Sequence, residues 1–207
     1  MKKVLFLLPS LDVGGMERVL ITLSGKLAAK GYQVTVMLLS DRAALKDELD
    51  RRVRLVIKEP KRHLGQNLPY IRHKLYDDGM WETRASAEAL YRYYIGDEHY
   101  DVEIAFFRGL CAKIVSGSTN PSAVKLAWVH NDYRLAKGYA NNFRGKQAVF
   151  DAYARFDKVI CVSKQAREGF LAVVGDTGNT CTIYNMLPVD EIRQKAQEPV
   201  ALKNKRA

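Results

Sequence analysis

Short apolar runs, too brief to be helices, alternate along this chain with longer segments of helical period. Val4–Leu8, Gln33–Leu39, Val53–Ile57, Val102–Phe106, Ala123–Val129, Val159–Val162 and Cys181–Tyr184 have the length and composition of strands. Between the first two, Gly15–Lys30 places Met16, Val19, Leu20, Leu23 and Leu27 on one helical face and ends at Gly31. Ala85–Tyr94, Leu110–Val115, Gln147–Phe156 and Lys164–Val173 also read as helices. Helices between successive strands act as crossovers, and crossovers make neighbouring strands parallel. The expected fold class is therefore α/β: a Rossmann-like, mostly parallel sheet with helices on both faces. Ligands of such sheets bind beyond the carboxyl ends of the strands, near the point where strand order reverses. Gly14-Gly15, after the first strand, and His130-Asn131-Asp132, after the fifth, fall at that edge.

At 207 residues and 47% hydrophobic, the chain is long enough for one domain with a sizeable core. Lys and Arg exceed Asp and Glu by 33 to 23, a net charge of +10 that suggests anionic company without choosing among nucleotides, anionic lipid and nucleic acid. Cys111, Cys161 and Cys181 have no C-x-x-C spacing, and an odd count without pairing logic fits a reducing compartment. Met1-Lys2-Lys3 and the apolar residues after it mimic a signal peptide, but the apolar core is too short and Pro9-Ser10-Leu11-Asp12 is no cleavage site. A cytoplasmic protein is expected.

The segment Lys3–Arg18 joins a buried strand to a helix through a glycine pair. Backbone N–H groups at such a helix start can meet a phosphate or a sugar, and glycine lets the backbone approach closely. A tight turn needing positive φ accounts for the glycines equally well. Glu17 and Arg18 stand where a G-x-G-x-x-G fingerprint needs glycine, and neither a P-loop nor a G-x-S-x-G elbow is present. His63, His73, His99 and His130 have no metal-ligand spacing, there is no D-x-D pair, and the aromatics do not interleave with basic residues as a nucleic-acid platform would require. Two stretches fit the α/β pattern poorly. Lys58–Trp81 is basic and irregular, a solvated face or a patch for anionic lipid or a phosphorylated acceptor; Tyr133–Arg144 reads as a long loop, and long loops are often functional.

Several segments together resemble one family. Gly14-Gly15-Met16-Glu17-Arg18-Val19-Leu20 is similar to the G-G-x-E-R-x-L opening of retaining glycosyltransferases of the GT-B fold, family 4 type, and Gly31-Tyr32-Gln33-Val34-Thr35-Val36 to the G-[YH]-x-V-x-V that follows it. Trp128-Val129-His130-Asn131-Asp132 resembles a W-x-H-x-D segment. Val159-Ile160-Cys161-Val162-Ser163-Lys164 resembles V-x-x-V-S-x, and Thr182-Ile183-Tyr184-Asn185 with Pro188-Val189-Asp190 an I-x-N-P-V-D passage interrupted here by Met186-Leu187. The likeness is greatest to bacterial enzymes that build capsular or other surface polysaccharides.

The resemblance implies the N-terminal, acceptor-side half of a GT-B fold. Residues 1–190 are then a Rossmann-like domain and 191–207 a linker or tail, with the C-terminal donor-binding domain and its E-x7-E element absent from this sequence. The implied reaction moves a sugar from a UDP- or GDP-sugar to a glycan or lipid-linked acceptor with retention of configuration. It requires no cofactor and no metal, and the isolated chain would have little or no activity. Peripheral association with an anionic inner membrane face would fit the basic balance. Gly14 and Gly15 would face the donor diphosphate, and His130 would touch the transferred sugar or the acceptor as the catalytic contact. Asp12, Glu17, Asp132, Ser163 and Asn185 would border the acceptor. Four of them also have a structural reading: Glu17 as a favourable charge in a first helical turn, Asp132 as a turn cap rather than the group that orients His130, Ser163 as a helix cap, and Asn185 as a turn former. Arg18 reads as helix-surface charge. A stand-alone Rossmann-like binding or regulatory module is the competing reading.

Overall fold

A computed structural model of the chain describes residues 1–58, 80–136 and 138–198. Seven strands form one parallel sheet: β1 (Lys3–Leu8), β2 (Gln33–Leu38), β3 (Arg54–Ile57), β4 (Val102–Ala105), β5 (Val124–Val129), β6 (Lys158–Cys161) and β7 (Thr180–Thr182). Their spatial order is β3-β2-β1-β4-β5-β6-β7. The expected α/β, Rossmann-like parallel sheet is what forms. Strand order reverses between β1 and β4, where Leu5 lies beside Glu103 and Leu7 beside Ala105 in register. A crevice opens beyond the carboxyl ends at such a reversal.

The connecting helices are α1 (Gly15–Ala29), α2 (Met80–Arg84), α3 (Ala87–Tyr94), α4 (Leu110–Ser116), α5 (Lys146–Ala154), α6 (Lys164–Val173) and α7 (Val189–Lys195). They divide unevenly between the faces. Leu5, Leu7, Met37, Ala127, Val129, Val159 and Cys161 point to one face and pack against Leu90 and Tyr91 of α3, Ile114 of α4, Tyr153 of α5 and Phe170 of α6. Val4, Phe6, Leu8, Val36 and Ile104 point to the other and pack against Leu20 and Ala28 of α1. β1 and β2 lie between the two cores and are buried beyond their first residue, which is why their sequences read as unbroken apolar runs rather than alternating ones. The edge strands β3 and β7 are half-buried or exposed and carry charge or threonine.

The expected helix over Ala85–Tyr94 begins at Ala87, because Ser86 accepts a hydrogen bond from the Ala89 N–H and caps it. Most of the basic stretch Lys58–Trp81 lies outside the described residues; its last residues, Met80 and Trp81, open α2. α7 straddles residue 190, where the first domain was expected to end.

Candidate functional site

The carboxyl ends of β1, β2 and β4 enclose a cleft of about 290 Å³. Pro9 comes from the end of β1; Leu39, Ser40 and Arg42 follow β2; Phe107 to Cys111 lead from β4 into α4. Gly138, Asn141 and Asn142 of the long loop after β5 close the remaining side. Gly109 has φ +66°, and a Cβ there would sit 3.4 Å from the Asn141 carbonyl oxygen, so a glycine lets the β4–α4 turn pass beside that loop. Asn142 is itself in the left-handed region at φ 70°. Beneath it, the buried Lys113 of α4 donates to the carbonyls of Glu82 at 2.7 Å, Thr83 at 3.0 Å and Asn142 at 2.9 Å. This one ammonium ties α2, α4 and the cleft loop together. Burial, and then the charge of Arg144, press its pKa below the ordinary lysine value.

His130 stands at the end of β5, where the sequence places it. Its Nε2 lies 3.1 Å from the Phe106 carbonyl oxygen, and its ring meets the Phe106 ring edge-to-face at 4.6 Å. A carbonyl only accepts, so Nε2 carries the hydrogen and Nδ1 of the neutral ring presents a lone pair. Burial pushes the pKa down to about 4 against the partial support of that bond, and the Arg108 cation lowers it further. His130 is thus a neutral imidazole of fixed tautomer at neutral pH.

Asp132 does not orient His130. Its carboxylate is taken up by Arg134, through Nε at 2.9 Å and NH2 at 2.6 Å, and also accepts the Arg134 backbone N–H at 3.0 Å, the turn-capping alternative. The Arg134 guanidinium holds the carboxyl below its usual range. The side chain of Asp132 is only 9% exposed because it lies against Gly169 of α6, where a Cβ would overlap Oδ1.

The glycine pair differs from the turn reading: neither residue has positive φ. Gly14 is extended at φ −168° and ψ 166°. The Glu17 carboxylate folds back over Gly14 into the space a Cβ would fill, bringing its charge to the positive end of α1. Gly15 is exposed, with open space on its Cβ side. Asp12 lies just before, accepting from the Ser10 hydroxyl at 3.1 Å and pairing with Arg42 at 3.3 Å on the cleft rim. Arg18 pairs with Glu48 on the surface, as a helix-surface charge would.

Ser163 caps α6 by accepting from the Ala166 N–H at 3.0 Å. Asn185, beyond β7, is half-buried, and its Oδ1 has no hydrogen-bond partner among the described residues, which distinguishes it from a turn former whose oxygen is bonded. Six strand ends therefore carry Asp12, Gly14, Gly15, Arg42, Arg108, His130, Asp132, Ser163 and Asn185 along one edge of the sheet. Arg42 and Arg108 were not singled out from sequence. Each follows a strand just as His130 does, so position alone marked them.

Among the described residues, no group of three or more His, Cys, Asp or Glu could hold a metal ion, and no helix is long and apolar enough to cross a membrane. Cys111 and Cys161 are buried, which raises both thiols, Cys161 to about 11, so neither is poised as a thiolate.

A profile of the family described as Glycosyltransferase Family 4 matches residues 13–191, most of the chain. The chain belongs to glycosyltransferase family 4. The matched region includes the glycine pair, His130, Ser163 and Asn185, and begins one residue after Asp12. No curated relative matches the sequence. Among solved structures, HepE from Anabaena in complex with UDP and glucose superposes with a TM-score of 0.55 at 20% identity, over 95% of this chain and 50% of that one. Sucrose-phosphate synthase from Thermosynechococcus elongatus gives 0.53 at 20% identity, over 96% of this chain and 53% of that one. The family 4 chain described here thus spans about half the length of these structures, and their likeness establishes the shared fold.

Proposed function

We propose that this chain forms the acceptor-side half of an enzyme that transfers a sugar from a UDP- or GDP-sugar to a glycan or lipid-linked acceptor, with retention of configuration. The observation that carries the proposal is His130: a neutral imidazole at the end of β5, locked by the Phe106 carbonyl, on the same carboxyl edge of the sheet as the cleft, though not among its lining residues. Its Nδ1 lone pair suits a hydroxyl of the transferred sugar or the acceptor, and a ring that stays uncharged does not attract the donor phosphates away from their own site. Family membership and the UDP and glucose bound to HepE support the nucleotide-sugar class.

In the proposed reaction the acceptor hydroxyl oxygen bonds to the anomeric carbon as the bond to the diphosphate oxygen breaks. The hydroxyl proton passes to the departing phosphate, and no protein nucleophile is assigned. Gly14 and Gly15, at the start of α1, offer backbone N–H groups toward the charge that develops on the leaving group. Asp12 and Glu17 border the same entrance as acceptors for sugar hydroxyls, while Asp132, Ser163 and Asn185 shape the far side of the edge. The nucleotide is held mainly by a second domain, so the 207-residue chain alone has little activity. The enzyme needs no cofactor or metal and works in the cytoplasm, peripherally on the anionic inner membrane face.

The test is consumption of a panel of UDP- and GDP-sugars by the native gene product that carries these residues, with membrane extract as acceptor. Labelled sugar moving into the acceptor fraction from one donor supports the proposal. Absence of transfer and of donor consumption across the panel refutes it.

A further inference from the structure

We infer that the cleft between β1, β2 and β4 recognises an acceptor sugar that bears an anionic group, a phosphate or a carboxylate, with Arg42 and Arg108 as its cationic partners. The inference deepens the acceptor-side reading above and rests on it.

The charged side chains that line the cleft are both arginines, and Asn141 and Asn142 add amide groups able to donate, while the Ser40 hydroxyl donates its one hydrogen to the Pro9 carbonyl oxygen at 2.9 Å. A concave wall of one sign focuses its field on whatever enters. Arg108 is half-buried and oriented: its guanidinium carbon lies 4.7 Å from the centre of the Phe107 ring, and NH1 lies 3.4 Å from Asn131 Oδ1. Its side chain lines the cleft itself. A planar guanidinium held in place this way presents a charge of fixed position to a carboxylate or phosphate. Arg42 reaches Asp12 at 3.3 Å on the exposed rim, a long contact that an entering anion can displace. His130 is neutral near neutral pH and adds no charge of its own.

Size limits the ligand. A space of about 290 Å³ admits a monosaccharide with one substituent rather than a long chain. Leu39, Leu110 and Cys111 supply an apolar floor against which a sugar ring can rest.

The test is titration of the 207-residue chain, followed by amide NMR, with glucose, glucose 6-phosphate, glucuronate and inorganic phosphate at low ionic strength. Vesicles of phosphatidylglycerol form a separate arm. The expected result is binding of at least one anionic sugar about tenfold tighter than glucose and tighter than inorganic phosphate, with shifts at Gly109–Cys111 and Asn141–Asn142. Arg42→Gln and Arg108→Gln, shown to be folded by their spectra, should each lose most of that tenfold preference, and added salt should weaken it. Equal binding of glucose and its anionic analogues, no binding of any sugar, or a preference that survives the Arg42→Gln/Arg108→Gln double variant would overturn the inference. So would vesicle binding that depends on these arginines and is not competed by sugar phosphates, which would assign them to lipid. No donor is used, so failure here leaves the transfer assay to decide the transferase reading independently.

Discussion

Replacing Lys113 with methionine separates the cleft loop from the core that supports it. The ammonium donates to three carbonyls, of Glu82, Thr83 and Asn142, which belong to α2 and to the loop after β5. Methionine keeps the stem and removes all three bonds. An unpartnered buried carbonyl costs about 1–3 kcal/mol. The Glu82 bond is buried and carries nearly the full penalty, whereas the other two are part-buried and can recruit water at lower cost. Burying the ammonium also opposes folding in the parent chain, as its depressed pKa records, and methionine relieves that cost. The net expectation is a loss of about 2–3 kcal/mol, or roughly 5–10 °C in Tm for a domain of this size. Urea unfolding followed by circular dichroism gives the magnitude, and hydrogen exchange gives the location, with protection lost first at Ala140–Phe143 and the end of α2. A change below about 0.5 kcal/mol, the range of ordinary surface substitutions, would refute the claim that this lysine anchors the loop.

His130 makes stability pH-dependent. Its folded pKa, about 4, lies below the ordinary 6.5, so between these values the unfolded chain binds more protons. The neutral-histidine contribution is complete above pH 6.5 and is lost as pH falls toward 4; His130→Gln should flatten that part of a Tm-against-pH curve by on the order of 2–3 kcal/mol. Ser163→Ala removes the cap of α6 and should cost about 1 kcal/mol in urea unfolding, while Ser163→Asp should retain most of it. Gly117→Ala puts a methyl group into the backbone of Ala87 and within 2.5 Å of the Glu88 nitrogen, where no side chain can swing aside. α3 and α4 must part, at about 1–3 kcal/mol or more, and a Tm equal to that of the parent would contradict the packing.

The fold was legible because its signals are local. β1 and β2 lie between two helix layers, so their sequences are continuously apolar, and α1 carries its period over fifteen residues. α7 was not read because it spans seven residues behind Pro188 and leaves Val189 and Ile192 exposed, so no buried face imprints a period. The uneven split of helices between the faces was equally invisible, since it depends on strand order rather than on any one segment. In the site, His130 could be placed because it ends a recognisable strand. Its tautomer could not, because that is fixed by a carbonyl 24 residues away. Asp132 was ambiguous for a similar reason: Arg134 is near in sequence, but the seat against Gly169 comes from α6. Arg42 and Arg108 carry no motif, and only the joining of β1, β2 and β4 around one cleft brings them together.

The most direct test of the transferase assignment is the rate of sugar transfer by the native gene product with and without His130→Ala, using the donor that the panel identifies. Loss of about 100-fold or more in kcat, with the amide spectrum and nucleotide-sugar affinity preserved, is the expected result for a side chain that contacts the reacting sugar or its acceptor. A variant that transfers within about twofold of the parent rate would contradict it and return His130 to a structural role at the end of β5.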